Sequence, residues 1–453
     1  MAEGRGYYAT ALRALDRLDA RDQQLLRLEE PWLMDPPNVE MLTARAREMV
    51  RAWPVDPEVQ YWCGHRLGIT SGEVDESLSA LDRALALDRS FVVAAMTRAR
   101  VELEVAGDPE AAIRSADRCL ELAPAAGRCL GIKAAAHGVL GQCELAERDL
   151  RARMALEPRE GEQYRELAVV LAARGAPVEA LQEALLRAKE LSPGDTAAVA
   201  AGEILVALYA GDFDVAEAKL TALDAATPPG ADEGAHDIRA LLLLFEERGE
   251  PAKQVALASD FMKRWPAWSH NDPGGSRPMG AAILHRAGQI SDDRFRTQRS
   301  AWIEERVSVD GRSFPASVTH WTEFFGDPAR TRAEADAALE LLAGLPKVPP
   351  YRGLPEVAGA AGRVYGLAER LSEAAPLLAE ETSSCGRRLG SSLAWIIPWI
   401  RDRLLLGRAL EQQGRVPEAC EQYASLLARW GAAKPRSVTA ADARARWKAL
   451  GCR

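Results

Sequence analysis

The 453-residue sequence contains few of the residues that favour β-sheets, and it contains no long apolar segment. Aromatic residues make up 6% of the chain and isoleucine and threonine are also scarce, so the composition favours helices over strands. Apolar runs such as Ala240–Phe245 and Leu393–Ile400 are far shorter than the roughly 20 residues of a membrane-spanning helix. Basic residues are in the minority, and the net charge of −9 argues against non-specific nucleic-acid binding or a basic membrane patch.

The sequence also lacks the motifs that catalysis and cofactor binding require. It contains no Gly-x-Ser-x-Gly elbow, no Gly-rich phosphate loop, no Cys-x-x-Cys pair and no two histidines at helical spacing. Ser269, His270 and Asp272 are close in the sequence, but such near neighbours cannot easily face one another as a catalytic relay. We therefore expect a non-catalytic protein with no cofactor and no metal site.

Seven cysteines, an odd number, are spread over the chain without an export signal. In the N-terminal region, basic and acidic residues are mixed and the apolar run of a signal peptide is missing. Reduced thiols are the expectation for such a chain, with Cys119 filling a small position in the helical core. We expect a soluble, cytoplasmic protein.

The sequence does contain an internal repeat, which recurs every 34 or 35 residues. In each copy, small or apolar residues recur at offsets of four and three, which marks one face of an α-helix. Four of the five copies end in proline, which cannot continue a helix. The copies are Ser77–Arg89, Ala112–Pro124, Ala146–Pro158, Leu181–Pro193 and Ala216–Pro228.

A glycine accompanies each copy, after an Ala- and Leu-rich stretch and a few residues before the next helix. Such a glycine typically ends a helix in the left-handed conformation. The repeating unit is therefore a helix, a glycine turn, a second helix and a proline turn. The five glycines are Gly72, Gly107, Gly141, Gly175 and Gly211.

These units resemble the tetratricopeptide repeat (TPR). Ala112–Pro124 is similar to the second helix of a TPR with its terminal proline, and the resemblance extends over residues 57–232. Arg153 replaces the small residue of the family pattern, and Arg89 replaces the proline. The resemblance implies an all-α, right-handed superhelical solenoid, in which the first helices line a concave groove and each hairpin contacts only its neighbours.

Weaker copies of the pattern flank this block. In the divergent part, Gly288 and Gly326 are expected to be turns within hairpins, and a first helix is expected around Tyr7–Leu28. The last helix, Ala440–Leu450, follows Thr439 as its N-cap and is expected to cover the final hairpin. The four expected regions are residues 1–56 with N-terminal helices forming a first divergent repeat, 57–232 with about five repeats, 233–350 with divergent helical hairpins, and 351–453 with TPR-like hairpins and a capping helix.

The segment from Leu406 to Ala440 resembles the ends of bacterial TPR arrays that are often fused behind a serine/threonine kinase domain. This chain contains none of the kinase motifs. The resemblance therefore implies, at most, a bacterial regulatory arm for a kinase or another signalling enzyme that is supplied separately. That is the alternative to a scaffold or adaptor that holds a partner peptide or protein surface in its groove.

The first helices carry one arginine per repeat that can recognise such a partner. An arginine ladder suits carboxylates or phosphates, because guanidinium groups make bidentate contacts. The alternative is that these arginines form ion pairs within the array. We expect a protein or peptide partner that is acidic where it meets the ladder, and neither nucleic acid nor membrane. The ladder consists of Arg66, Arg98, Arg128 and Arg165.

The segment Trp265–Met279 offers a second candidate contact, through Trp268 and His270. It contains two tryptophans, three prolines and a pair of glycines, and it is longer than most connections between helices. We interpret it either as a break between two halves of the array or as a loop that contacts a partner. Leu393–Ile400 is apolar on all sides, so that segment is expected to be buried or part of an interface.

Overall fold

The computed structural model describes residues 2–34, 37–226, 234–264, 275–310, 314–345, 355–385 and 395–452. In these ranges the chain forms 25 α-helices and no β-strand, so the predicted all-α array of TPR-like helical hairpins is confirmed. The residues form two compact units: unit 1 is Met1–Lys133 with Glu304–Ser317, and unit 2 is Ala134–Ile303 with Val318–Arg453.

The helices follow the order that the repeat pattern predicts. The first are α1 Ala2–Leu12, α2 Ala20–Leu28, α3 Glu30–Leu33, α4 Val39–Ala52, α5 Pro57–His65, α6 Val74–Leu87, α7 Val92–Glu104, α8 Pro109–Leu122, α9 Gly127–Val139, α10 Cys143–Leu156, α11 Gly161–Ala173, α12 Val178–Leu191 and α13 Thr196–Ala210. The others are α14 Phe213–Ala226, α15 Gly234–Arg248, α16 Pro251–Arg264, α17 Ser276–Arg286, α18 Asp292–Asp310, α19 Phe314–Trp321, α20 Arg332–Ala343, α21 Pro355–Leu367, α22 Leu371–Ser383, α23 Ile396–Gln412, α24 Val416–Trp430 and α25 Val438–Ala449.

Left-handed glycines close the hairpins, as the sequence predicts. The five glycines of the repeats have positive φ angles between 66° and 79°, and Gly288 has a φ of 70°. Gly326 is different, and the expected turn there is wrong. It ends a π-helical segment, Thr322–Gly326, where an added Cβ would lie 3.0 Å from Trp321. Close packing against this ring, rather than a left-handed turn, accounts for that glycine.

The N-terminal helix also differs from the expectation. A 3₁₀ turn at Leu15–Arg17 separates α1 from α2, so one continuous helix over Tyr7–Leu28 is wrong. The physical reason is that a new helix begins within that range. The side chain of Asp19 accepts a hydrogen bond from the backbone N–H of Asp22 and caps α2.

The second helices bury the residues that recur at offsets of four and three. Six of these side chains are at most 3% exposed: Leu81, Ala84, Ala116, Cys119, Leu150 and Leu220. In α12 the buried stripe is Leu181, Ala184 and Ala188, and the expected Leu185 is only half-buried. Arg153, at the position of the small residue, is half-buried and pairs with Glu166 on α11 at 3.1 Å. The predicted face is therefore the core face, except that Leu185 in α12 and Leu223 in α14 are only half-buried.

Unit 2 does not pack as an open array, because its C-terminal residues return to the glycine turns of the repeats. The indole N–H of Trp430 donates to the carbonyl of Leu208 at 2.8 Å. The backbone N–H of Lys434 donates to the carbonyl of Gly211, and the N–H of Phe213 donates back to the carbonyl of Lys434. The expectation that each hairpin contacts only its neighbours is therefore wrong for this unit.

The last helix takes part in this return. α25 begins at Val438, and its N-cap is Ser437, whose hydroxyl accepts a hydrogen bond from the N–H of Ala440. The expected N-cap, Thr439, instead donates its hydroxyl to Glu247 of α15 at 2.7 Å. The start of α25 thus binds a helix far away in the sequence, and its packing extends beyond the final hairpin to α15.

The cysteines are mostly paired, so the expectation of reduced thiols is wrong. Three disulfides join Cys119 to Cys129, Cys143 to Cys385 and Cys420 to Cys452. Cys63 is buried and unpaired. The sequence spacing gave no sign of the pair Cys143–Cys385, because its two cysteines lie 242 residues apart.

The apolar segment near Leu393–Ile400 is buried where the structure describes it, from Trp395 onwards. Ile396, Ile397 and Ile400 have no exposed surface, and Trp399 is 3% exposed. Burial, rather than an exposed interface, is therefore the interpretation that applies. None of the helices within the described ranges has the length and apolar character needed to cross a membrane.

Candidate functional site

A groove of about 530 Å³ lies in unit 2 and is lined mainly by residues of α12, α13 and α14. Its lining is largely apolar, and two of its side chains lie open to solvent: Leu186 on α12 is 57% exposed and Val215 on α14 is 44% exposed. Exposed apolar side chains around a concave surface are typical of a site that another molecule covers.

The sequence of α13 produces this groove. The helix is rich in alanine and valine, and its small residues Ala198, Gly202 and Ala210 leave space between the neighbouring helices. A Cβ at Gly202 would lie 3.0 Å from the side chain of Leu185, so the glycine allows α12 and α13 to approach closely. A larger residue at position 202 would push the wall of the groove outwards.

Three cationic side chains line the groove, and their ion pairs are loose or shared. Arg165 lies 3.8 Å from Asp195, at the limit of an ion pair. Lys219 and Lys189 share one carboxylate, that of Glu203, at 2.6 Å and 3.7 Å. The hydrogen bond from Lys219 lowers the pKa of Glu203, against the opposing effect of burial. The groove therefore offers ammonium and guanidinium groups that can contact an acidic residue of a partner.

The predicted arginine ladder divides into two kinds of residue. Arg66 donates to Glu29, and Arg98 pairs with Asp82 and with Glu102, so ion pairs within the array occupy both. Arg128 is exposed and forms no ion pair with any residue that the structure describes. Arg165 lines the groove. Partner recognition by Arg128 and Arg165 stays a prediction.

The second predicted contact lies mostly outside the described residues. Trp268 and His270 belong to the undescribed range 265–274. The predicted end of the loop at Met279 is wrong. The helix α17 already begins at Ser276, and Met279 is buried in it. Buried positions 276–279 provide the start of a packed helix rather than a surface loop.

A smaller cavity of about 250 Å³ lies elsewhere in unit 2 and is highly charged. Arg363 donates to Asp327 at 2.6 Å and to Asp402 at 2.5 Å, while Arg401 pairs with Glu247 at 2.6 Å. Carboxylates thus oppose these guanidinium groups, and the network joins α15, α21 and α23. The charged residues that line the cavity are Arg239, Arg330, Arg363, Arg401, Glu246, Asp327 and Asp402.

The electrostatics of this network indicate a structural role. Burial alone would raise the pKa of Glu246, but Arg330 and Arg401 outweigh it and lower that pKa. Burial raises the pKa of Glu381 well above its usual range, and the neighbouring Asp402 raises it further. The raised pKa favours the protonated form of Glu381 beside Asp402, which already accepts from Arg363. Sequence reasoning missed this network, although charged residues inside apolar helices are a signal of it.

Within the described ranges, no group of three or more histidine, cysteine, aspartate or glutamate side chains is placed to hold a metal ion.

No protein-family model matches the sequence, and no curated protein matches it. Among solved structures, MamA (residues 41 to the end) from Desulfovibrio magneticus RS-1 is 19% identical, covers 39% of this chain and 98% of its own, and gives a TM-score of 0.33. YrrB, described as a TPR protein with an unusual peptide-binding site, is 17% identical over 49% of this chain and 92% of its own, with a TM-score of 0.29. The structure of Naa15/Naa10 bound to HypK-THB is 15% identical, covers 82% of this chain and 63% of its own, and gives a TM-score of 0.28.

Proposed function

We propose that this chain is a non-catalytic protein-interaction scaffold that holds a segment of a partner protein in the groove between α12 and α14. The observation that carries the proposal is the exposed apolar lining of that groove, with Arg165, Lys189 and Lys219 beside it. An apolar side chain that enters the groove leaves water, which stabilises the complex by about 1.5–3 kcal/mol for a leucine-sized group. An acidic neighbour of that side chain meets the cations.

The expected occupant is therefore a short segment that combines apolar and acidic residues. Lys189 and Lys219 both depend on Glu203, so a second carboxylate relieves the repulsion between the two ammonium groups. A charge-assisted hydrogen bond of this kind contributes about 1.5–3 kcal/mol before the cost of ordering the partner. A purely basic segment is disfavoured by the same charges.

Selection of displayed random peptides on the full chain tests this proposal. We expect enriched peptides to carry leucine-like residues next to aspartate or glutamate. The double variant Leu186→Asp and Val215→Asp should bind them at least tenfold more weakly, with unchanged helicity. Both residues are exposed, so the substitutions leave the core intact.

The matched control is Leu156→Asp, which changes a leucine on α10 that is outside the groove and as exposed as Val215. It should bind the peptides as the wild type does. Equal binding by the groove variant and the wild type would exclude this groove as the binding site.

The regulatory arm of a separately supplied kinase differs from this proposal only in the identity of the occupant. Capture of partners on the wild type, with the groove variant as the blank, separates the two. An enzyme whose activity changes on addition of this chain, but not of the groove variant, would favour the regulatory arm.

A further inference from the structure

Six of the seven cysteines form pairs between separate parts of the fold. The Cα–Cα distances of the three pairs are 6.3, 5.6 and 5.6 Å, within the range that a disulfide spans. We infer that this chain folds and works in an oxidising compartment, and that the Cys143–Cys385 disulfide is a clasp that holds the C-terminal part of unit 2 on the glycine turns of the repeats.

A core-filling role does not account for these cysteines. It explains Cys63, which has no exposed surface and no partner. It does not explain Cys143, Cys420 and Cys452, which are only half-buried. Each of them nevertheless lies beside another cysteine. A chain kept in a reducing cytosol gains nothing from such pairing, whereas disulfides persist in oxidising compartments.

The surroundings of Cys385 show what the clasp joins. The backbone N–H of Cys385 donates to the carbonyl of Gly138 at 2.9 Å. Next to it, the carbonyl of Ser383 lies 3.2 Å from the position of a Cβ on Gly141. The residues that follow α22 therefore lie against the turn between α9 and α10, where Gly141 has a φ of +70°.

The clasp is the first of a series of contacts along the turns. Farther along the chain, Trp430 and Lys434 bind the turn at Gly211, and Arg436 donates to the carbonyl of Arg248, next to the turn at Gly249. The disulfide fixes one end of this series covalently. Since it joins residues 242 positions apart, it removes a large part of the freedom of the unfolded chain.

The redox step is a thiol–disulfide exchange with a protein or small-molecule disulfide donor. The thiolate of one cysteine attacks the donor disulfide and forms a mixed disulfide, which releases one donor thiolate. The thiolate of the second cysteine then attacks the sulfur of the first, forms the new S–S bond and releases the other donor thiolate. The two protein thiols lose two protons and two electrons in all, and the donor takes them up and leaves as a dithiol or, for a small-molecule disulfide, as two thiols.

Thiol trapping in intact source cells tests the compartment. Cells are treated with N-ethylmaleimide before lysis, and the full chain is digested without reduction. We expect three cross-linked peptide pairs and no alkylation of six cysteines. Burial raises the pKa of Cys63 to about 12, so this thiol should be alkylated only after denaturation. Alkylation of the half-buried cysteines Cys143, Cys420 and Cys452 before denaturation, or the absence of the cross-linked peptide pairs, would overturn the inference.

Hydrogen exchange tests the clasp. In the double variant Cys143→Ser and Cys385→Ser, amides of residues 138–141 and 383–385 should exchange at least tenfold faster than in the wild type. The matched control, Cys420→Ser with Cys452→Ser, should change exchange only near the C-terminus. Reduction of the folded wild type with a phosphine gives the same readout if the variant does not fold. Unchanged exchange at residues 138–141 after reduction would overturn the clasp.

Discussion

Glu247 tests most directly whether the return of the C-terminal residues holds unit 2 together. Its carboxylate has no exposed surface and accepts four hydrogen bonds. Three come from the start of α25, from the hydroxyl of Ser437 and from the N–H and hydroxyl of Thr439, and the fourth comes from Arg401 at 2.6 Å. We consider the substitution Glu247→Gln, which keeps the shape of the side chain and removes its charge.

The amide of the new glutamine has one oxygen where the carboxylate has two. Its NH₂ group therefore faces donors, and the Nε–H of Arg401 loses the charge of Glu247, while Arg401 keeps its ion pair with Glu246 at 3.0 Å. A buried polar group left without its partner costs about 1–3 kcal/mol, and at least two groups lose a partner here, so the free energy of unfolding should fall by about 3–5 kcal/mol. With a slope of about 3 kcal/mol per molar urea, the midpoint should fall by about 1–2 M.

Urea denaturation followed by circular dichroism, at one pH and one salt concentration, measures this shift. Glu418→Gln is the matched control, because Glu418 is an exposed residue whose ion pair with Arg415 is open to solvent. The control should leave the midpoint unchanged. If Glu247→Gln and Glu418→Gln gave the same midpoint, the contact between α15 and α25 would not support the fold.

Further predictions address backbone, pH and binding. Gly211→Ala should destabilise unit 2 more than Gly414→Ala. Both glycines have φ near +73°, a conformation that costs alanine about 1–2 kcal/mol. Only at Gly211 would the new Cβ also contact Ala433, at 3.1 Å. As the pH rises above about 4, the usual pKa of an unfolded glutamate, the wild type should lose stability relative to Glu381→Gln, because the fold raises the pKa of Glu381 and favours its protonated form. Arg165→Ala should weaken the binding of an acidic partner about tenfold, equivalent to about 1.4 kcal/mol. The loss of affinity should be larger at low salt.

The helical hairpins could be predicted from the sequence because their signals are local. Small and apolar residues at offsets of three and four, a left-handed glycine and a terminal proline all act within one repeat. The resulting glycine turns are confirmed at the five predicted positions. Where the local pattern was weak, as at Gly326 and in the N-terminal helix, the prediction failed because packing against Trp321 or the cap at Asp19 decided the conformation.

The return of the C-terminal residues could not be predicted, because no local pattern records it. The cysteine pair 143 and 385 and the contact of Glu247 with Thr439 join residues about two hundred positions apart. The arginine ladder shows the same limit at shorter range. The partner of Arg98 on its own helix, Glu102, is visible in the sequence, whereas the partner of Arg66, Glu29, lies 37 residues earlier.

The return contacts also bear on the binding that is proposed for the groove. In an open repeat array each hairpin depends on its neighbours only, and the ends unfold independently. In unit 2, Trp430 and Lys434 bind the turn beside Gly211, which joins α13 to α14, the helices that form the groove. The groove is therefore held in shape from its turn, without a contribution from the partner. A site held in this way orders fewer of its own residues when it binds, so more of the contact energy appears as affinity.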